Sequence, residues 1–231
     1  MSRRLPSVAY EPPGEPSLFD RWEAGAKTDL PPPLAVGDAA YRSHVVGLLG
    51  RHADAARNLI SVGAGTGHAE AALAARGWNV LATDPAGSAL RICRGKGLAT
   101  ARFALLEDPP LGRFDVIYCD GVLGHLWDPD EASIPAWTAL AALGRRDTIC
   151  VVSNDLSDDD DSARFAVRTS RAAAFYRPPA TWFGRDARAT SLWSVESEHL
   201  YAYLRAGAAR RREIIVARLL ADERIEPEER L

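Results

Sequence analysis

Lysine is almost missing from this chain. Of its 28 cationic side chains only Lys27 and Lys96 are lysines, and the rest are arginine, a habit of GC-rich coding. No lysine follows the glycine-rich stretch SVGAGTGH at 61–68, so a phosphate-cradling P-loop, which needs GxxxxGK[ST], is excluded there. Cysteine is scarce too: Cys93, Cys119 and Cys150 lie far apart with no CxxC pair. That excludes a disulfide framework or thiolate zinc site and fits a reducing compartment. No run approaches the ~20 apolar residues of a membrane span. The opening MSRRLPSVAYEPPGEP has arginines but no apolar core, so it does not read as a signal peptide. The expected location is the cytoplasm, without a membrane partner. A strong charge of one sign is also lacking. The net charge of −3 and the absence of a basic stripe give no reason to expect nucleic acid as partner.

What the 231 residues do contain is ordinary for one soluble domain: 47% hydrophobic and 26% charged. Residues 1–16, rich in proline and polar groups, read as a loose arm. Residues 17–231 read as a single domain. Within it, 17–56 form an N-terminal helical cap, with a helix over 17–27 capped by Ser17 and a second from Gly37 or Asp38 to about Arg51. From there apolar strands alternate with helices: strands at 58–62, 79–84, 99–106, 114–120 and 147–155, helices at 68–77, 86–97 and 134–144. This spacing predicts βαβ units and a parallel sheet covered on both faces. Residues 155–190 form an insert holding DDDD, an arginine-studded helix and several aromatics. Residues 191–223 close the chain as an antiparallel hairpin. The expected fold is α/β and Rossmann-like, a seven-stranded mostly parallel sheet with helices on both faces.

The first strand runs into Gly63-Ala64-Gly65-Thr66-Gly67. Glycine removes Cβ atoms, so a ligand can touch backbone at the carboxyl edge of the sheet. A tight strand-to-helix turn without a ligand is the plainer alternative. A dinucleotide fingerprint needs GxGxxG, but the glycines here run GxGxG and the last slot is His68. Asp84 ends the second strand, 17 residues beyond Gly67. A carboxylate there can accept from both hydroxyls of a ribose, or it can cap the next helix. Glycine turn and acid together point to an adenosine-bearing ligand.

Gly63-Ala64-Gly65-Thr66-Gly67, Asp84, Phe114-Asp115-Val116-Ile117 and Val122-Leu123-Gly124-His125-Leu126 resemble the class I S-adenosylmethionine-dependent methyltransferases. The resemblance covers about 57–153, the cofactor-binding core, and extends to the terminal hairpin. It implies S-adenosylmethionine as cofactor. Gly63, Ala64 and Gly65 then pass under its methionine part, with Gly67 completing the turn, and Asp84 holds the ribose. Leu105 and Leu106, within 104–108, lie along the adenine, and Cys119 and Asp120 face the amino-acid moiety. The sequence departs from the family twice. Ser61 stands where an acid is usual two residues before the first glycine. Leu105 stands where an adenine-binding acid is common, although a shifted register offers Glu107 or Asp108.

Methyl transfer from a sulfonium needs alignment and the removal of one proton. His125, after the fourth strand, titrates near neutrality when unperturbed and is a candidate base. Asp155, beside Asn154 at the end of the fifth strand, is another. His199, Tyr201 and Tyr203, on one face of the sixth strand, are weaker candidates. Trp22, Tyr41, Tyr176 and Trp182, with Phe183 and Trp193, come from outside the common core and are candidates to line an apolar acceptor pocket. The DDDD run reads as a solvated loop, so no metal is expected. The arginines of the insert and of 210–212 read as a solvated face rather than an anion site. The expected activity is methyl transfer to an oxygen or nitrogen of a small molecule, in the biosynthesis of a secondary metabolite, by a monomer or homodimer. A protein or nucleic-acid methyltransferase and a cofactor-binding protein without catalysis are the alternatives.

Overall fold

Successive side chains of a strand point to opposite faces, so a strand apolar throughout must be covered twice. In the computed structural model of this chain, Leu59, Val116, Ile149 and Val151 enter one core while Ile60, Ile117, Cys150 and Val152 enter the other. The structure describes residues 14–28, 32–54, 57–128, 130–157, 166–168, 174–205 and 207–221. Residues 1–13 of the expected arm at 1–16, the DDDD run at 158–161 and Phe165 lie outside them.

Among the described residues, three helices precede the sheet: α1 (Leu18–Glu23), α2 (Leu34–Gly37) and α3 (Ala39–His52). Ser17 starts α1 with a reciprocal capping box to Asp20, and the Asp38 carboxylate accepts from the Tyr41 amide to start α3. The central run is β1 (Asn58–Val62), α4 (His68–Ala74), β2 (Asn79–Asp84), α5 (Gly87–Gly95), β3 (Ala99–Arg102) and β4 (Phe114–Asp120). It continues with α6 (Leu123–Leu126), α7 (Ile134–Ala142) and β5 (Gly144–Asp155). Gly77 and Gly97, at φ 85° and 80°, supply the left-handed residues beyond α4 and α5.

β3 stops at Arg102 rather than running to 106. The chain turns there because the Ala104 carbonyl accepts from the Glu107 and Asp108 amides, and the Asp108 carboxylate accepts from the Ala104 amide at 2.7 Å. α1 is also shorter than expected, ended by Gly25 at φ 67°. The insert holds a short antiparallel pair that the sequence reading lacked, β6 (Ala166–Arg168) with β7 (Ala174–Tyr176). It ends in α8 (Trp182–Ala189), the helix bearing Arg185 and Arg188.

The terminal hairpin is β8 (Trp193–Arg205) and β9 (Ala208–Leu219). The sheet order is β3-β2-β1-β4-β5-β9-β8, with β9 antiparallel to both its neighbours and the other pairs parallel. The strand order reverses between β1 and β4, the place where open α/β sheets leave a crevice at their carboxyl edge. Among the described residues no helix is long and apolar enough to cross a membrane.

Candidate active site

β1 leaves the sheet at Val62, and the chain turns through Gly63, Gly65 and Gly67 at φ 69°, 54° and 70°. A Cβ at Gly63 would collide with Val122 Cγ2, and one at Gly67 would sit 2.7 Å from Cys93 Sγ. Packing therefore demands these two glycines, whatever is bound. At Gly65 a Cβ would meet only Phe19 Cε1, at an ordinary 3.7 Å. The turn borders a small crevice, open to solvent and lined by Pro33, Val36, residues 63–70, Tyr118 and Asp120.

Asp84 reaches the same turn. One carboxylate oxygen accepts from the Gly65 amide at 3.0 Å, the other from the Ala86 amide at 2.9 Å. The acid thus fixes the glycine turn to the end of β2 and organises the entry to α5. Thr66 in the turn is 2% exposed, and its hydroxyl has no hydrogen-bond partner among the described residues. Such an orphan is uncommon in a folded interior.

Ser61 lies under the turn at 1% exposure, and its hydroxyl donates to Glu70 Oε1 at 2.6 Å. Glu70, on α4, is 3% exposed, and burial pushes its carboxyl up to about 7 against the pull of the Ser61 hydrogen bond. An acid thus stands beside the position where the sequence offered only a serine.

On the adenine side expected from the resemblance, Leu105 is buried and Leu106 is 45% exposed. Asp108 is engaged in capping its own turn, and neither acid of the shifted register is buried. At the end of β4 the two candidates diverge. Cys119 is wholly buried in the core on the α7 side, where burial raises its thiol, while Asp120 borders the crevice.

Asp120 belongs to a polar network across the ends of β4, β5 and β9. It accepts from Tyr118 (3.0 Å), Tyr41 (3.2 Å) and Ser153 (2.6 Å), and it pairs with Arg212. Arg212 also pairs with Asp155 at 2.9 Å, and Tyr203 donates to Asp155 at 2.8 Å. Arg212 is 3% exposed, so the expectation of a solvated arginine face fails at this position. The register of β9 turns its side chain inward, between the acids of two neighbouring strands. Burial alone would raise Asp155, but Arg212, Arg205 and the Tyr203 hydroxyl together hold it below the usual carboxylate range.

His125 lies on α6 with its ring 4.7 Å from that of Phe175, edge to face. Burial lowers it to about 4, so the expected titration near neutrality does not hold in this environment. Of the six aromatic candidates, Phe183 and Trp193 are buried in the core with Trp137, and the other four occupy three places. Tyr176 and Trp182 gather around Trp127, at 4.8 and 6.3 Å between ring centroids. Tyr41 belongs to the Asp120 network on the other face. Trp22 packs with Leu18 and Phe19 against Ala86, Ala89 and Ile92. His199 bonds Ser197, and Tyr201 meets Tyr41 and His44, both on the β8 edge of the sheet.

Sequence reasoning missed Glu70, Arg212 and Trp127. Glu70 had one signal, as the lone acid of an alanine-rich helix directly after the glycine turn.

The profile of a protein family described as a methyltransferase domain matches residues 38–200. A tabtoxin biosynthesis enzyme of Pseudomonas amygdali pv. tabaci is 30% identical over 192 residues, covering 82% of this chain and 75% of the relative. An S-adenosylmethionine-dependent methyltransferase from Methanosarcina mazei superposes with a TM-score of 0.64 at 10% identity, covering 75% of this chain and 97% of its own. The 1,6-didemethyltoxoflavin-N1-methyltransferase of Burkholderia thailandensis, solved with bound 1,6-didemethyltoxoflavin and S-adenosylhomocysteine, gives a TM-score of 0.61 at 19% identity over 80% of each chain.

Proposed function

This chain belongs to the methyltransferase-domain family, and from that premise we propose that it methylates an oxygen or nitrogen of a small molecule made in a biosynthetic pathway. S-adenosylmethionine is the methyl donor. One observation supports the reading above the others: the crevice at the sheet's carboxyl edge, where the Gly63–Gly67 turn is fastened to Asp84.

The residues present fit this cofactor. Gly65 leaves its backbone approachable, the buried Thr66 hydroxyl lacks a partner among the described residues, and acids stand at 70, 84 and 120. We assign Asp84 to the ribose, Gly63 to Gly67 to the methionine portion, Leu105 and Leu106 to the adenine, and the Cys119 backbone with Asp120 to the amino-acid end. When bound, S-adenosylmethionine supplies a methyl group already activated on a sulfonium sulfur, open to in-line displacement.

The protein's share is alignment and one proton. Holding two reactants in line supplies several kcal/mol, up to about 7–11 in well-oriented cases. His125 is the base in this reading: burial keeps its imidazole neutral at physiological pH and hence able to accept a proton. Asp155 is the positioning partner, because its charge is already matched by Arg212. Trp127, Tyr176 and Trp182 form the apolar wall for the acceptor, with His125 and Phe175 in ring contact on the neighbouring α6 and β7. The network around Asp120 and Arg212 fills the other face.

The relative named for tabtoxin biosynthesis and the neighbour named as a 1,6-didemethyltoxoflavin-N1-methyltransferase both favour a small biosynthetic acceptor. The test is to incubate the protein with methyl-labelled S-adenosylmethionine and fractionated bacterial extract. Label is expected in the low-mass fraction. Label confined to protein or nucleic acid contradicts the proposal.

A further inference from the structure

Three acids border the crevice or its glycine turn, and their partners differ. Asp84 accepts backbone amides on both oxygens. Asp120 is matched by Arg212 and by three hydroxyls. Glu70 lines the crevice, but among the described residues it accepts only the Ser61 hydroxyl from another side chain, and no Lys, Arg or His there pairs with it.

A buried carboxylate without a cation is costly to ionise, and it usually gains a partner or takes up a proton. The charged and titratable groups facing Glu70 leave it short of positive charge. Burial and, more weakly, Asp120 on β4 oppose its ionisation; the Ser61 hydroxyl and the backbone amide of Glu70 favour it, and the positive charge that does so is that of Lys96, past α5. Lys96 itself is engaged by Glu23 at 2.9 Å and by the Thr66 carbonyl at 2.6 Å. Tyr118 and Cys93, the other nearby titratable groups, are neutral, because burial raises both. The crevice therefore presents one acid prepared for a ligand's cation.

Resting on the reading of this crevice as the cofactor site, we propose that Glu70, held by Ser61, is the acid that binds the cofactor's α-ammonium group and so selects ligands that carry one. The acid sits on α4 rather than on β1, and the Ser61 hydroxyl fixes its carboxylate beneath the turn. Its carboxyl, pushed up to about 7 by burial, is partly protonated in the free protein near neutral pH. An ammonium arriving beside it favours the ionised form, so binding expels a proton and affinity rises as pH climbs through the range below 7.

The experiment is calorimetry on the full chain at pH 6.5, in two buffers of different ionisation enthalpy. The probes are S-adenosylhomocysteine, which bears the ammonium, and methylthioadenosine, which keeps the adenosine and sulfur but lacks the amino-acid part. The wild-type protein is expected to release protons on binding the first probe and none on binding the second. Glu70→Gln is expected to weaken the first at least tenfold, abolish the proton release and leave the second unchanged. Ser61→Ala, a milder change, is expected to weaken the first probe alone, by about two- to fivefold. Equal losses for both probes in Glu70→Gln, or undiminished binding of the first, would overturn the assignment. If wild-type protein binds neither probe, the reading of the crevice itself falls, along with the role of Glu70.

Discussion

His125 lies edge to face against Phe175 and is lowered by burial to about 4. Its folded pKa is depressed below the ordinary 6.5, so the folded protein resists the proton that the unfolded chain accepts. Stability from this group is complete above about pH 6.5 and is lost as the pH falls toward 4. As a base, the neutral ring is present throughout the physiological range. Turnover is therefore expected to show no inflection from this residue between pH 6 and 8, with an acid limb only near pH 4–5. His125→Gln should cost at least tenfold in kcat and remove that limb. Full turnover in the variant across the whole profile would exclude His125 as the base. What a reader of the chain can recognise at this scale is local: Gly63 to Gly67 and Asp84 announce themselves by their place at strand ends. Glu70 and Arg212 do not. Arg212 meets Asp120 across 92 positions of sequence, and that meeting exists only once β9 has slotted beside β5.

Elements with local punctuation were the legible ones. Ser17 and Asp38 mark helix starts through side-chain caps, and Gly77 and Gly97 follow α4 and α5. β3 was overread because Phe103, Ala104 and Leu105 are apolar, whereas the Ala104 backbone is committed to the turn that Asp108 closes. The pair β6 and β7 has strands of three residues, too short for a period of two to stand out. What holds the site side of the hairpin is the buried Arg212 between Asp120 and Asp155. Removing one partner of such a pair leaves charges stranded and costs about 3–5 kcal/mol. Arg212→Met is expected to lower the urea-unfolding free energy by that order. The aromatic group around Trp127 forms on another face and is expected to remain. A loss below about 1 kcal/mol would show that the network is not what fixes β9 against the core.

Taken whole, the molecule places its two cores on opposite sides of one sheet and leaves its chemistry at the carboxyl edge. The N-terminal segment reaches that edge: Pro33 and Val36 border the crevice, and Phe19 lies within contact distance of Gly65. Alternating strands and helices made the architecture readable at this scale, because burial on both faces forces a near-continuous apolar strand. The arrangement of the acceptor side was not readable, since Trp127, Tyr176 and Trp182 come from three separate elements and meet only through the insert. The cofactor is expected to lie on the Gly63–Gly67 turn with its ribose on Asp84. Calorimetric titration of S-adenosylhomocysteine into wild-type and Asp84→Asn protein, matched for thermal unfolding, tests it most directly. Binding at least tenfold weaker is expected in the variant, since charge-assisted hydrogen bonds contribute about 1.5–3 kcal/mol each. Equal affinity of the two proteins would contradict it.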